Sequence, residues 1–120
     1  MPQSDLTYDV IGAAMEVHRE LGSGLRESPY ENALRNELRM RGHQVDQQKP
    51  WPISYKGKVV GDCITDLVVN GELVLEIKAV DQLSASEEAQ LLNYLKISKL
   101  RLGLLLNFKP ASLEVKRMAL

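Results

Sequence analysis

The chain has one cysteine and one tryptophan among its 120 residues, two histidines, and almost no net charge, and each scarcity closes off a class of protein. Cys63 alone cannot form an internal disulfide, and no Cys/His cluster is present to hold zinc, so it reads as a small packing residue. No apolar run approaches the ~20 residues that span a bilayer. The opening Met-Pro-Gln-Ser-Asp lacks the basic and apolar regions of a signal peptide, which makes a cytoplasmic location, away from membranes, the expectation. A net charge of −1 argues against a protein that coats nucleic acid without specificity. The charge is unevenly spread, however. Residues 1–88 carry nine Lys/Arg against fifteen Asp/Glu, whereas residues 89–120 carry six against one. The basic C-terminal quarter could meet a phosphate backbone, or simply be a solvated surface that balances the acidic part. No repeat, linker or low-complexity segment interrupts the chain.

What remains is an ordinary globular composition, 44% hydrophobic and 26% charged, in a length that makes residues 1–120 one domain with a real core. Leu6, Val10, Ala13, Ala14, Val17 and Leu21 follow 3.6-residue spacing and predict a first helix, with Ser4 as its N-cap and Gly22 ending it. His18 sits beside that face and reads as a packed helix residue. After Gly22-Ser23-Gly24 a second helix runs to about Arg41, where Gly42 stops it, and buries Tyr30, Ala33, Leu34 and Leu38. Pro29 suits its first turn, which puts Glu27 at or just outside the helix start, a common place for a capping carboxylate.

From Gln44 to Val60 the pattern turns to strand, folded at Lys56-Gly57-Lys58. Pro50 and Pro52 cannot donate to a ladder, so this first strand belongs at a sheet edge. Trp51 reads as a packing residue that could also stack a base, and Lys49, Lys56 and Lys58 as a solvated hairpin tip. Ser84 and Glu87 form a capping box that opens a third helix. On that helix Gln90 and Tyr94 lie one turn apart, as do Leu91 and Leu95. Leu102-Gly103-Leu104-Leu105-Leu106 has no polar alternation and predicts a strand covered on both faces. A short edge strand is expected around Leu113 to Lys116. Helix, helix, strands, crossover helix and strand together predict a three-layer α/β/α sandwich with a mixed central sheet.

Between Ile64 and Val80 two apolar strands meet at Asn70-Gly71, the strongest short hairpin signal, because both residues tolerate positive φ. Charges interrupt those strands at Asp66, Glu76 and Lys78. With period-two alternation Glu76 and Lys78 share a face. Desolvating such groups costs several kcal/mol unless something compensates. The residues leave three compensations open: an ion pair, an exposed edge strand, or a divalent cation held by Asp66 and Glu76 with Lys78 reaching a phosphate beside it. Register discriminates among them. A two-residue loop at Asn70-Gly71 sets Asp66 opposite Leu75, on the wrong face, whereas a three-residue loop or a bulge sets it opposite Glu76. The cation reading therefore predicts the odd loop or a bulge.

Asp66, nine intervening residues and Glu76-Ile77-Lys78 resemble the Asp…Glu-x-Lys core of the PD-(D/E)XK nuclease superfamily. Gly24-Leu25-Arg26-Glu27-Ser28-Pro29-Tyr30 is similar to the Gly-x-x-Glu-x-x-Tyr signature of its GxxExxY group, and Gln90-Leu91-Leu92-Asn93-Tyr94 to its Gln-x-x-x-Tyr helix motif. The resemblance runs from about Ile11 to Arg117. It implies a restriction-endonuclease-like fold and a nuclease that hydrolyses phosphodiester bonds in DNA or RNA with Mg²⁺ or Mn²⁺. It further implies that Asp66, Glu76 and Glu27 hold metal, that Lys78 and Gln90 act in catalysis, and that Gln90, Tyr94 and Tyr30 meet substrate. A homodimer or a partner protein would supply the surface for reading bases that so short a chain lacks, since such interfaces bury ~1,000 Å² or more of protein. The rival expectation is a non-catalytic module that keeps the fold and binds nucleic acid or protein; a hydrolase of another kind using the same metal is a lesser one.

Overall fold

The structure, a computed structural model, describes residues 2–120. Helices α1 (Gln3–Leu21) and α2 (Glu27–Met40) lead into strands β1 (Val45–Tyr55), β2 (Lys58–Val69) and β3 (Leu73–Lys78). Helix α3 (Ala85–Ser98) then crosses over to β4 (Leu102–Asn107), and β5 (Glu114–Ala119) closes the chain. The five strands form one sheet in the order β1-β2-β3-β4-β5. The β3–β4 pair joined through α3 is parallel, and the other three pairs are antiparallel. This is the expected mixed sheet between helical layers.

Its two faces are covered unequally. Leu6, Val10, Ala13 and Val17 of α1 and Tyr30, Leu34 and Leu38 of α2 pack on Leu67, Leu75, Ile77, Leu104 and Leu106. On the other face α3 lays Leu91 and Leu95 against Val74 and Leu105. Helix and sheet approach closely there: a Cβ on Gly103 would stand 2.9 Å from Leu91 Cδ1, so only glycine fits without moving that leucine. Every residue of β4 is buried, as a strand without polar alternation should be.

The ends of the elements correct several expectations. Pro2, not Ser4, precedes α1: its carbonyl accepts from the Leu6 amide at 3.0 Å, and Ser4 falls exposed inside the first turn. Leu21, at the helix end, is 41% exposed and outside the core. Ser84 does cap α3, but its hydroxyl donates to the Glu87 carboxylate and caps no backbone amide. Edge strand β5 starts one residue later and runs three further than expected. The prolines behave as predicted, since Pro50 and Pro52 lie on edge strand β1. Tyr55 pairs with Lys58 around Lys56 and Gly57, both at positive φ. His18 is a packing residue whose Nε2 lies 2.9 Å from the Pro110 carbonyl.

The decisive register follows the odd loop. Asn70 and Gly71 both adopt positive φ, at 54° and 69°, and the Glu72 amide donates to the Val69 carbonyl at 3.0 Å. Val69 nevertheless pairs with Leu73, so Glu72 is an extra residue and Asp66 comes opposite Glu76.

Candidate metal centre

Regular pairing of β2 with β3 runs from the turn only as far as Leu67 and Leu75. At the next position side chains take over from backbone. Glu76 Oε2 accepts from the Asp66 amide at 2.8 Å, and Asp66 Oδ2 accepts from the Ile77 amide at 2.8 Å. Each carboxylate thus satisfies an amide of the opposite strand, and the seam is held open by a pair of acids. Asp66 is also unpaired on its other side. The β1–β2 register passes from Gln47 opposite Leu67 to Lys49 opposite Thr65, leaving Gln48 facing Asp66 outside the ladder.

Burial makes this seam electrostatically costly. Glu76 is 4% exposed; desolvation, reinforced by the neighbouring Asp66 charge, pushes its pKa up to about 8. Asp66 is raised too, first by burial, with its bond from the Ile77 amide opposing and the Glu31 charge adding to the rise. Lys78, half-buried at the end of β3, opposes the rise at both acids, and its Nζ donates to Gln90 Oε1 at 3.0 Å. Tyr94, one turn along α3 from Gln90, borders the same charges: its hydroxyl is raised by burial, then by Glu76, Cys63 and Asp66. Cys63 is buried and raised by desolvation and by Glu76, so its packing position lies against the site.

Of the sequence-predicted residues, then, Asp66, Glu76, Lys78, Gln90 and Tyr94 come together. Glu27 does not join them: it is exposed at the first residue of α2 and lines a cleft with Arg26, Ala79 and Lys109. The third carboxylate is Glu31, one helical turn further on, 8% exposed and contributing its charge to both acids of the seam. Its Oε2 accepts from Gln47 Nε2 at 2.7 Å and Gln48 Nε2 at 2.9 Å, and the same Gln48 nitrogen reaches Asp66 Oδ1 at 3.1 Å. A signal for Glu31 exists in the sequence. With Leu34 and Leu38 it falls at i, i+3 and i+7, which puts a carboxylate on the apolar stripe of the helix. Tyr30 is likewise corrected from substrate contact to core. It is fully buried, stacks on Phe108 at 4.6 Å, and its hydroxyl donates to the Gly22 carbonyl at 2.6 Å while accepting from the Leu25 amide.

The donor set suits a hard divalent cation, because its charged donors are carboxylate oxygens and their negative charge exceeds what Lys78 offsets. Among the described residues no three His, Cys, Asp or Glu, the set Asp66, Glu76 and Glu31 included, are gathered into a group that could hold a metal ion. Mg²⁺ and Mn²⁺ do not need three: they are commonly held by one or two carboxylates, with the other positions filled by water and substrate. Asp66 and Glu76 could serve as such an open pair. No helix among the described residues is long and apolar enough to cross a membrane.

Comparison with known proteins bears on the fold and the family. No curated protein matches the chain significantly. Among solved structures, the crystal structure of SSO0001 is similar at a TM-score of 0.59 and 19% identity, over 74% of this chain and 47% of that one, a likeness of fold alone. The chain therefore spans about half the length of that protein. The family model of the PD-(D/E)XK nuclease superfamily matches residues 4–118. With a five-stranded mixed sheet between helices, and Asp66, Glu76 and Lys78 at a split seam, the chain has a restriction-endonuclease-like fold and belongs to the PD-(D/E)XK nuclease superfamily.

Proposed function

We propose that this protein is a nuclease of the GxxExxY group that hydrolyses phosphodiester bonds in DNA or RNA at the Asp66–Glu76 seam, with Mg²⁺ or Mn²⁺ bound there. The observation that carries the reading is the pair itself. A buried Glu76, its pKa pushed up to about 8, and a half-buried Asp66 face each other across an opened ladder with Lys78 alongside, an arrangement that weakens the fold unless it binds something positive. When bound, a divalent cation supplies a water of lowered pKa and positive charge against the phosphate.

The chain's own residues do the rest. Asp66 and Glu76 would hold the cation, each keeping one oxygen on a strand amide, which fixes the direction of the other. Glu31 stands beside them as a further acid, through water or a second ion. Lys78 would donate to a non-bridging phosphate oxygen or to the attacking water. Its ammonium is aimed by Gln90 Oε1 at 3.0 Å, so the donor is positioned before substrate arrives. Gln90 keeps its own amide N–H groups for substrate, and Tyr94 offers a hydroxyl at the same rim. Phosphodiesters of nucleic acid are the substrate class that a cation and a compact ammonium jointly recognise.

The test is cleavage of plasmid, single-stranded DNA and RNA with Mg²⁺, with Mn²⁺ and with EDTA. Metal-dependent strand scission lost in Glu76→Gln is the expected result. Nucleic-acid binding without scission in any metal would identify a non-catalytic binding module instead.

A further inference from the structure

Gln48 is the residue at the centre whose geometry is hardest to explain by packing. It lies on a strand, yet its φ is 51°, in the left-handed region that a non-glycine residue rarely enters. Its neighbours Gln47 and Lys49 keep the β1–β2 register, so the departure is confined to one residue. The residue is exposed overall, so no core contact forces the backbone there. What the conformation achieves is visible in the side chain. Nε2 donates to Glu31 Oε2 at 2.9 Å and to Asp66 Oδ1 at 3.1 Å, spending both amide hydrogens on two different carboxylates. Gln47 supports the arrangement from the other side, giving Nε2 to the same Glu31 oxygen at 2.7 Å while its own Oε1 accepts from Arg35 Nη1 at 2.5 Å.

From this we infer that Gln48 is a positioning residue, whose amide bridges Glu31 and Asp66 in the metal-free protein and keeps both acids turned toward the proposed metal centre. The inference rests on the proposed metal centre and goes beyond its ligands. Two like charges side by side repel, and a donor lying between them offsets that repulsion. A neutral amide can supply that donor without cancelling the charge, so the acids stay together and remain able to take a cation. A lysine in the same place would neutralise the site and compete with the metal; an alanine would let Glu31 turn away. The left-handed backbone is the means by which a strand residue reaches between the two acids, and strained conformations of this kind persist where surrounding bonds over-determine them.

Gln48→Gly separates the amide from the backbone, since glycine accepts the positive φ at no steric cost. Two measurements test it on the full chain. Calorimetric titration with Mn²⁺ should show about ten-fold weaker binding for Gln48→Gly and for Gln48→Ala alike, because both lose the bridge. Equal Mn²⁺ affinity in Gln48→Gly and wild type would overturn the inference. Thermal melts in EDTA provide a readout that needs no metal. Gln48→Gly should melt a few degrees below wild type, and adding Glu31→Gln to it should restore most of that loss, since one of the two repelling charges is then gone. Strictly additive losses in the double variant would show that Gln48 does not act between the two acids, and would also overturn the inference. If the wild-type protein takes up no Mn²⁺, the proposed function fails, and the role of Gln48 as a bridge for a cation falls with it. A weakened titration in the variant with cleavage absent throughout would leave the bridge standing and sink only the nuclease reading.

Discussion

At its turn, the β2–β3 hairpin is closed by backbone: Val69 pairs with Leu73 and Val68 with Val74, while Asn70 ties the turn to the start of β1 through bonds with Gln44. At its open end the strands are joined instead by Asp66 and Glu76, each bonded to an amide of the other strand. Both ends satisfy the same kinds of amide. The difference lies in what is left over. Backbone pairing leaves nothing to titrate or to coordinate, whereas the side-chain seam leaves two acids, Glu76 buried and Asp66 half-buried, each with one oxygen off the strand amides. A ladder interrupted in this way is a chemical site made from a structural position, and its cost should be measurable as pH-dependent stability.

The largest effect should come from Glu76. Its pKa stands at about 8 in the fold against an ordinary 4.5, so the native state holds a proton that the unfolded chain gives up. The stability that this proton provides is complete below pH 4.5 and is lost as pH rises through about 8. At about 1.4 kcal/mol for each unit of pKa, the loss in EDTA is on the order of 5 kcal/mol. Glu76→Gln, neutral at every pH, should flatten that slope and melt above wild type at pH 8.5. Divalent cation should cancel the slope in wild type and do nothing for the variant. A wild-type protein in EDTA whose melting temperature does not change from pH 5 to pH 8.5 would contradict the seam's electrostatics.

Lys78 comes next. A residue that only offset the acids could be replaced by arginine, but one that must place a compact donor at a phosphate oxygen cannot. Lys78→Arg and Lys78→Met should each keep the fold and much of the Mn²⁺ affinity and lose ~10²-fold in single-turnover cleavage, the scale of one preorganised donor. A Lys78→Met protein that cleaves at the wild-type rate would remove this lysine from the mechanism.

How far the sequence disclosed all this follows the same division. The turn was readable, because Asn70-Gly71 declares its conformation locally, and the Glu76-x-Lys78 spacing placed two charges on one strand face. The odd loop followed from requiring Asp66 to meet Glu76. Glu31 was missed because the signature drew attention to Glu27, one turn earlier, although a carboxylate in register with Leu34 and Leu38 was the better clue. Gln48 was beyond reach. Nothing local marks a glutamine for positive φ; its side-chain partners are acids 17 and 18 residues away in sequence. Tyr30 was misread for a related reason, since a motif position does not reveal whether the side chain points to the site or into the core.

A smaller effect is expected at the turn. Asn70 holds φ at 54°, accepts from the Gln44 amide through Oδ1 at 2.9 Å, and lies 3.1 Å from His43 Nδ1 through Nδ2. Asn70→Ala should lose about 2 kcal/mol from the amide bond and the unfavourable φ together. Chemical denaturation measures it. Mn²⁺ affinity should be unchanged, because the carboxylate seam lies at the far end of the hairpin; a matching loss of metal binding would mean that the two ends are not independent.

The smallest effect, and the one that sharpens the contrast most, is at Asp9. Its Oδ2 lies 2.5 Å from His43 Nε2 and its Oδ1 takes Arg41 Nη1 at 2.8 Å, so α1 is tied through His43 to the Asn70 turn. The bond to His43 lowers the Asp9 pKa most, with burial opposing and Arg41 adding to the fall. The sign is opposite to that of Glu76. A lowered carboxyl stabilises the fold above its ordinary 3.8, and the contribution is lost as pH drops through the folded value. The group is well solvated, so the effect is small and screened by salt. Asp9→Asn should therefore melt slightly below wild type at pH 7 and converge with it in acid, while the variant at Glu76 diverges from wild type in the alkaline direction. Parallel melts of the two variants from pH 3 to pH 8.5 compare the ends of the hairpin directly. If Asp9→Asn shows a constant difference across that range, its carboxylate contributes by shape and not by charge, and the turn end is as silent to pH as its backbone pairing.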